Sequence, residues 1–132
     1  MIERIRHIFI NETSNDLCLL KKELYQTNHS ELPNDIAEKV FRTMHTIKGS
    51  SPMFGFDSLS EVSRSVEQAY RSLDHGKSKI NEIIIKKTKD VVALIEEVLN
   101  SKEDHLPNSE DERQALIDFF NNINRLNAQT ND

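Results

Sequence analysis

PNDIAEKVFRTMHTIKGSSPMFGFDSLSEVSRSVEQAYRSL, residues 33–73, reads as two amphipathic helices folded back on each other through a short joint. In its first half Ile36, Val40, Met44 and Ile47 return at the spacing of one helical stripe. Pro33 suits the first turn, where its missing N–H is not needed, so a helix is expected over 33–52. Pro52 and Gly55 punctuate the joint, and Asp57 can offer a side-chain oxygen to the free amides of the next helix. That helix is expected over 58–74, with Leu59, Val62, Val66, Ala69, Tyr70 and Leu73 as its stripe and Gly76 as a left-handed cap. A joint this short makes the two helices antiparallel neighbours, with residues whose numbers add to roughly 110 facing each other.

The flanks repeat the helical period. Ile5, Ile8, Phe9, Leu17, Leu20 and Leu24 predict a long helix over 2–27. Asn81 can cap a helix over 81–100 that carries Ile84, Thr88, Val91, Ile95, Val98 and Leu99, with Ile83, Ile85, Val92 and Leu94 widening the apolar face. This is the most apolar helix, and the deepest burial is expected for it. Ser109 and Glu112 form a capping box for a last helix over 109–127, whose stripe is Leu116, Phe119, Phe120, Ile123 and Leu126. With three Gly and three Pro in 132 residues, breakers are too scarce for many turns. The expectation is an all-α fold: an antiparallel four-helix bundle with an additional C-terminal fifth helix, in a single domain over 1–132.

Composition narrows the function classes. A net charge of −5 argues against a nucleic-acid binder, which needs a basic face, and favours protein partners. Cys18 is the only cysteine, so an internal disulfide framework is excluded and a reducing, cytoplasmic setting is expected. The N-terminal run MIERIRHIFINETSND has no apolar stretch of signal-peptide length, and no segment approaches the roughly 20 apolar residues that span a bilayer. A closed bundle without an exposed heptad seam is expected to be monomeric.

The chemistry concentrates around His45. At about 100° per residue it points about 145° away from the centre of the stripe Ile36–Val40–Met44–Ile47, which predicts an accessible ring. Phe41 and Lys48 are its neighbours on the helix surface. Gly49 costs a helix interior about 1 kcal/mol relative to alanine, and it clears space beside the imidazole. Across the hairpin, His45 faces the region Arg64 to Glu67, where the carboxylate of Glu67 can fix the N–H on one ring nitrogen and leave the other as a nucleophile. Blander assignments compete. Lys48 can serve as a cation at a helix C-terminus, and Glu67 can pair with Arg71 or Arg64 as an ordinary helix-surface ion pair.

The run His45-Thr-Ile-Lys48-Gly49-Ser-Ser, the Phe-Gly-Phe of 54–56 and Glu67 resemble the histidine phosphotransfer (HPt) domain, in particular the one at the N-terminus of the chemotaxis histidine kinase CheA. The likeness extends to the first-helix pattern Phe9 to Leu24, to Ile84–Leu99 and to the fifth helix. It implies that His45 is phosphorylated on its outer ring nitrogen, that Glu67 holds the inner one, that Lys48 assists near the phosphoryl oxygens and that Gly49 keeps the approach open. Arg64 stands where some chemotaxis members place a second histidine, so that part of the pattern is unmatched. The resemblance further implies a phosphorelay role. His45 would receive its phosphoryl group from a histidine kinase catalytic domain or a phospho-receiver and pass it to an aspartate of a response regulator. The chain has no cofactor of its own in this reading, ATP and Mg2+ being supplied by the partner kinase or receiver domains.

A different class of function is a helical adaptor that docks receiver or kinase domains without being phosphorylated, using the basic residues Lys39, Arg42, Lys48, Arg64 and Arg71 of the same hairpin. A kinase in its own right is excluded by length and by the lack of a glycine-rich nucleotide-binding segment. His7, His29, His75 and His105 lack ligand-like spacing and read as surface or cap residues rather than metal ligands. Phe54, Phe56, Phe119 and Phe120 read as packing residues, although an exposed phenylalanine at 119 or 120 would mark a docking surface. The sequence is compatible with a freestanding relay protein and with the N-terminal fragment of a larger kinase.

Overall fold

In the computed structural model, which describes residues 2–27, 32–73, 80–104 and 110–130, every regular element is helical. The α-helices are α1 (Ile2–Gln26), α2 (Asn34–Ser50), α3 (Asp57–Leu73), α4 (Glu82–Ser101) and α5 (Glu110–Thr130), with a 3-10 turn over Ser51–Phe54. α1 packs on α2 and α4, α3 packs on α2 and α4, and α5 lies against α3 and α4. The arrangement is the expected four-helix bundle with an added fifth helix. Its centre is filled by Leu17 and Leu24 of α1, Val40 and Met44 of α2, Leu59, Val62 and Val66 of α3, Val91, Ile95 and Leu99 of α4 and Phe120 of α5, all fully buried. Each such side chain contributes about 1.5–3 kcal/mol of burial free energy, which sets the helix faces.

The joint between α2 and α3 is tighter than the sequence suggests. Pro33 stands just ahead of α2 as its N-cap, with an extended ψ of 147°, and its carbonyl accepts the amides of Ile36 and Ala37. α2 ends at Ser50 rather than at 52, because the chain winds into the 3-10 turn with Pro52 in its first residues. Gly55 closes that turn in the left-handed region (φ 85°), where a side chain would be strained, and its amide donates to the carbonyl of Pro52. α3 then starts at Asp57. The carboxylate that receives the Ser58 amide (3.1 Å) and the Ser58 hydroxyl is that of Asp104, beyond α4, and not that of Asp57. Asn81 caps α4 as expected, its side chain accepting the Ile84 amide at 3.0 Å. The remaining ends differ by a few residues: α1 stops at Gln26, α4 runs from Glu82 to Ser101 and α5 runs from Glu110 to Thr130. The expected Gly76 cap, the Ser109 half of the capping box and the end of the third helix at 74 lie outside the described residues.

Three expectations about burial need correction. Ile5, Ile8 and Ile83 are about half or more exposed, at 46%, 48% and 61%. On α5 the buried residues are Leu116, Ile117 and Phe120, while Leu126 is exposed. The most enclosed helix is α3 rather than α4: with α2, α4 and α5 packed on it, ten of its 17 residues are buried, against nine of the 20 in α4. Ser60, Ser63 and Ser65 are therefore buried along with its apolar stripe. Side chains this small let neighbouring helices approach closely. Ser65 satisfies its hydroxyl locally on the carbonyl of Val62. Among the described residues no helix is long and apolar enough to cross a membrane.

Candidate functional site

The exposed face of α2 and the inner edge of α3 meet around one carboxylate. Glu67 is only 1% exposed, while His45, opposite it on α2, is 60% exposed. His45 Nδ1 lies 2.9 Å from Glu67 Oε1. Lys48, one turn further along α2, places Nζ 2.7 Å from Oε2 of the same carboxylate. The Ser60 hydroxyl donates to the Lys48 carbonyl at 2.9 Å and pins the two helices in this register. The pairs His45–Glu67 and Lys48–Ser60 obey the expected antiparallel correspondence.

A buried carboxylate costs several kcal/mol unless it is paired and hydrogen-bonded. Burial pushes the Glu67 carboxyl up, but the bonds from Lys48 and His45 outweigh that and hold it below the ordinary carboxylate value. Glu67 is thus ionised near neutral pH and can only accept. The ring nitrogen that faces it must donate, so the neutral imidazole carries its proton on Nδ1. The Nε2 lone pair is then free on the exposed side of a side chain whose orientation is fixed from behind.

Two further residues frame the ring. Phe41, one turn before His45, lies nearly parallel to the imidazole, with centroids 6.3 Å apart and planes 15° from each other. The guanidinium of Arg71 sits over the Phe41 ring, at 5.4 Å, and also donates to Glu67 Oε1 at 3.1 Å. Gly49 is exposed, and a Cβ built on it would meet no atom within 4 Å. No contact inside the molecule accounts for glycine there.

Of the residues singled out from sequence, His45, Lys48 and Glu67 are brought into direct contact, with Gly49 one turn beyond the ring on the same helix. Lys48 sits in the last turn of α2, as the dipole argument has it, and is also bound to Glu67. Glu67 does pair with Arg71, in addition to His45 and not in place of it, whereas Arg64 is exposed and is not among its partners. The placement of Arg71 on Phe41 was not foreseen. Its signal was present in two helical spacings, Phe41 four residues before His45 and Arg71 four after Glu67, but only the register of the hairpin joins them. Phe54 stacks on Phe9 of α1 at 4.7 Å and Phe56 is fully buried, so both are packing residues, as is Phe120. His7 is exposed on α1, and His29, His75 and His105 lie outside the described residues. Among the described residues no group of three or more His, Cys, Asp or Glu side chains is placed to hold a metal ion.

Comparison with known proteins agrees with this geometry. The family model for the Hpt domain matches residues 4–101, that is α1 to the end of α4. The chemotaxis protein CheA of Borreliella burgdorferi is 26% identical over 97 residues, covering 74% of this chain and 11% of that protein. The chemotaxis protein CheA of Listeria monocytogenes is 24% identical over 85 residues, covering 64% of this chain and 14% of its own length. The chain therefore spans only a small part of the curated relatives it matches. No solved structure matches it significantly. An exposed helix histidine backed by a buried carboxylate, within a sequence that the family model covers for most of its length, means that the chain belongs to the Hpt domains, the histidine phosphotransfer modules of phosphorelays.

Proposed function

We propose that His45 accepts a phosphoryl group on Nε2 from the catalytic domain of a histidine kinase, or from a phospho-receiver, and passes it to an aspartate of a response regulator. The observation that carries this reading is the 2.9 Å contact between Nδ1 of the exposed ring and the buried carboxylate of Glu67. With ATP as donor, the Nε2 lone pair forms a P–N bond to the γ-phosphorus while the bond to the ADP oxygen breaks. The ring gains positive charge as that bond forms, and the Nδ1–H donated to Glu67 spreads this charge onto the carboxylate. In onward transfer a receiver carboxylate forms the new P–O bond, the P–N bond breaks and the imidazole returns to its neutral form. Transfer through a loose transition state asks chiefly for positioning and charge compensation. The rigid α2 supplies the first. Lys48, one turn away, supplies part of the second, and Gly49 leaves the approach open. ATP, Mg2+ and the acidic receiver pocket belong to the partners in this scheme.

By this account the 132 residues act as one unit, in which the bundle holds the site and α5 braces α3. Incubation with a cognate kinase and ATP is expected to label the protein with acid-labile, alkali-stable phosphate, with no labelling of His45→Gln. Full labelling of His45→Gln would refute the assignment. Receiver binding without any labelling of the unaltered protein would identify a docking adaptor instead.

A further inference from the structure

Arg71 has no place in the transfer scheme above, yet it is built into the site twice. One guanidinium nitrogen lies 3.1 Å from Glu67 Oε1, the same oxygen that receives His45 Nδ1 at 2.9 Å. The guanidinium carbon lies 5.4 Å over the ring of Phe41, which in turn runs parallel to the imidazole. Arg71 is more than half exposed at 59%, so burial does not force it into this position. The aromatic shelf and the carboxylate together hold it.

The charged groups around His45 come from α2 and α3. On α2 they are Lys48, bound to Glu67 Oε2, and Arg42, one turn before the ring and paired with Glu38. On α3 they are Glu67, Arg71 and the exposed Arg64 one turn before Glu67. The carboxylate favours a charged imidazolium through the Nδ1–H bond, and a nearby cation disfavours it. An oxygen shared with a guanidinium is also a weaker acceptor for the second donor. The balance matters because only the uncharged ring has a lone pair on Nε2.

We infer that Arg71, shelved on Phe41, is a positioning residue that shares Oε1 of Glu67 with His45 and so limits the carboxylate's pull on the ring. The inference rests on the proposed phosphoacceptor role of His45, but its first test needs no phosphate. In Arg71→Gln the hydrogen-bonding amide remains and the charge is lost. The titration midpoint of the His45 ring, followed by nitrogen-edited NMR, is expected to move up by about half a pH unit. Arg71→Lys, which keeps the charge, is expected to restore most of the original midpoint. Phe41→Leu, which removes the shelf, is expected to shift it in the same direction as Arg71→Gln, with little further change when the two are combined. Kinase labelling of Arg71→Gln is then expected to be lower than that of the unaltered protein below the new midpoint and to reach at least the same rate about two pH units above it.

An unchanged midpoint in Arg71→Gln, or an Arg71→Lys midpoint displaced as far as that of Arg71→Gln, overturns the inference. Failure of the unaltered protein to be labelled on His45 would overturn the phosphoacceptor reading instead, and leave the titration result standing. Backbone amide spectra of each variant separate a local electrostatic change from a disturbed fold.

Discussion

Glu67 and His45 form a pair of unequal exposure, a carboxylate 1% exposed that grips an imidazole 60% exposed through a 2.9 Å contact between Oε1 and Nδ1. Burial makes the carboxylate immobile, and the contact transfers that immobility to a ring that otherwise stands in solvent. The exposed side chain is thus held by one that solvent hardly reaches.

Replacing Glu67 with Gln keeps an acceptor for the ring but removes the charge-assisted bond. Such a bond is worth about 1.5–3 kcal/mol, so the phosphorylation rate is expected to fall roughly 10- to 100-fold. Lys48 loses its counter-ion at the same time, and urea denaturation is expected to register a loss of about 1–2 kcal/mol. A variant phosphorylated at the original rate would show that the carboxylate serves the fold alone.

The same residue makes stability depend on acid. The Glu67 carboxyl titrates below its ordinary value of 4.5, because its bonds to Lys48 and His45 outweigh the effect of burial. A carboxyl depressed in the folded state binds fewer protons there than in the unfolded chain. Its contribution is therefore complete above the ordinary value and is lost as the pH falls through the folded one. Urea midpoints measured from neutral pH downward are expected to drop more steeply below about pH 4.5 for the unaltered protein than for Glu67→Gln. Parallel curves would contradict the depressed value.

Gly49 offers a test in which stability and function move in opposite directions. A Cβ there meets nothing within 4 Å, and the residue is in helical conformation, so Gly49→Ala is expected to raise stability by up to about 1 kcal/mol. On the proposed phosphoacceptor role of His45, phosphotransfer to and from partner domains is expected to fall severalfold, because the added methyl would stand one turn from the ring. Thermal denaturation and kcat/KM for transfer report the two effects separately.

Asp104 is expected to matter for the fold and not for the chemistry. It accepts the Ser58 amide at the start of α3, where no residue of that helix's own sequence neighbourhood was seen to do so. Asp104→Ala is expected to cost about 1 kcal/mol, a Tm decrease of about 3–6 °C, with labelling of His45 unchanged. Calorimetry and a labelling assay on one preparation suffice.

These cases also mark what could be read from the sequence. The outward position of His45 and its opposition to Glu67 followed from helical period and from a joint too short for anything but an antiparallel hairpin. Both are local in the chain, or made local by the turn. The cap from Asp104 is 46 residues distant from Ser58, and no nearby spacing encodes it. The deep burial of Ser63 and Ser65 was hidden for a related reason: their residue type signals exposure, and only the packing of other helices on α3 encloses them. The exposure of Ile5, Ile8 and Ile83 was missed because an apolar side chain at helical spacing need not have a neighbour. Lys48 and Arg71 were recognised singly, but their convergence on one carboxylate depends on side-chain reach across the groove.

The packing of α2, α4 and α5 around α3 divides the hairpin into two mechanically different halves. α3 is flanked on several sides and has few positions free to vary without cost to packing, whereas α2 keeps an open outer face. Substitutions on the outer face of α2 are therefore expected to disturb packing less than substitutions on α3. Amide protons of α3 should be among the slowest in the protein to exchange with solvent.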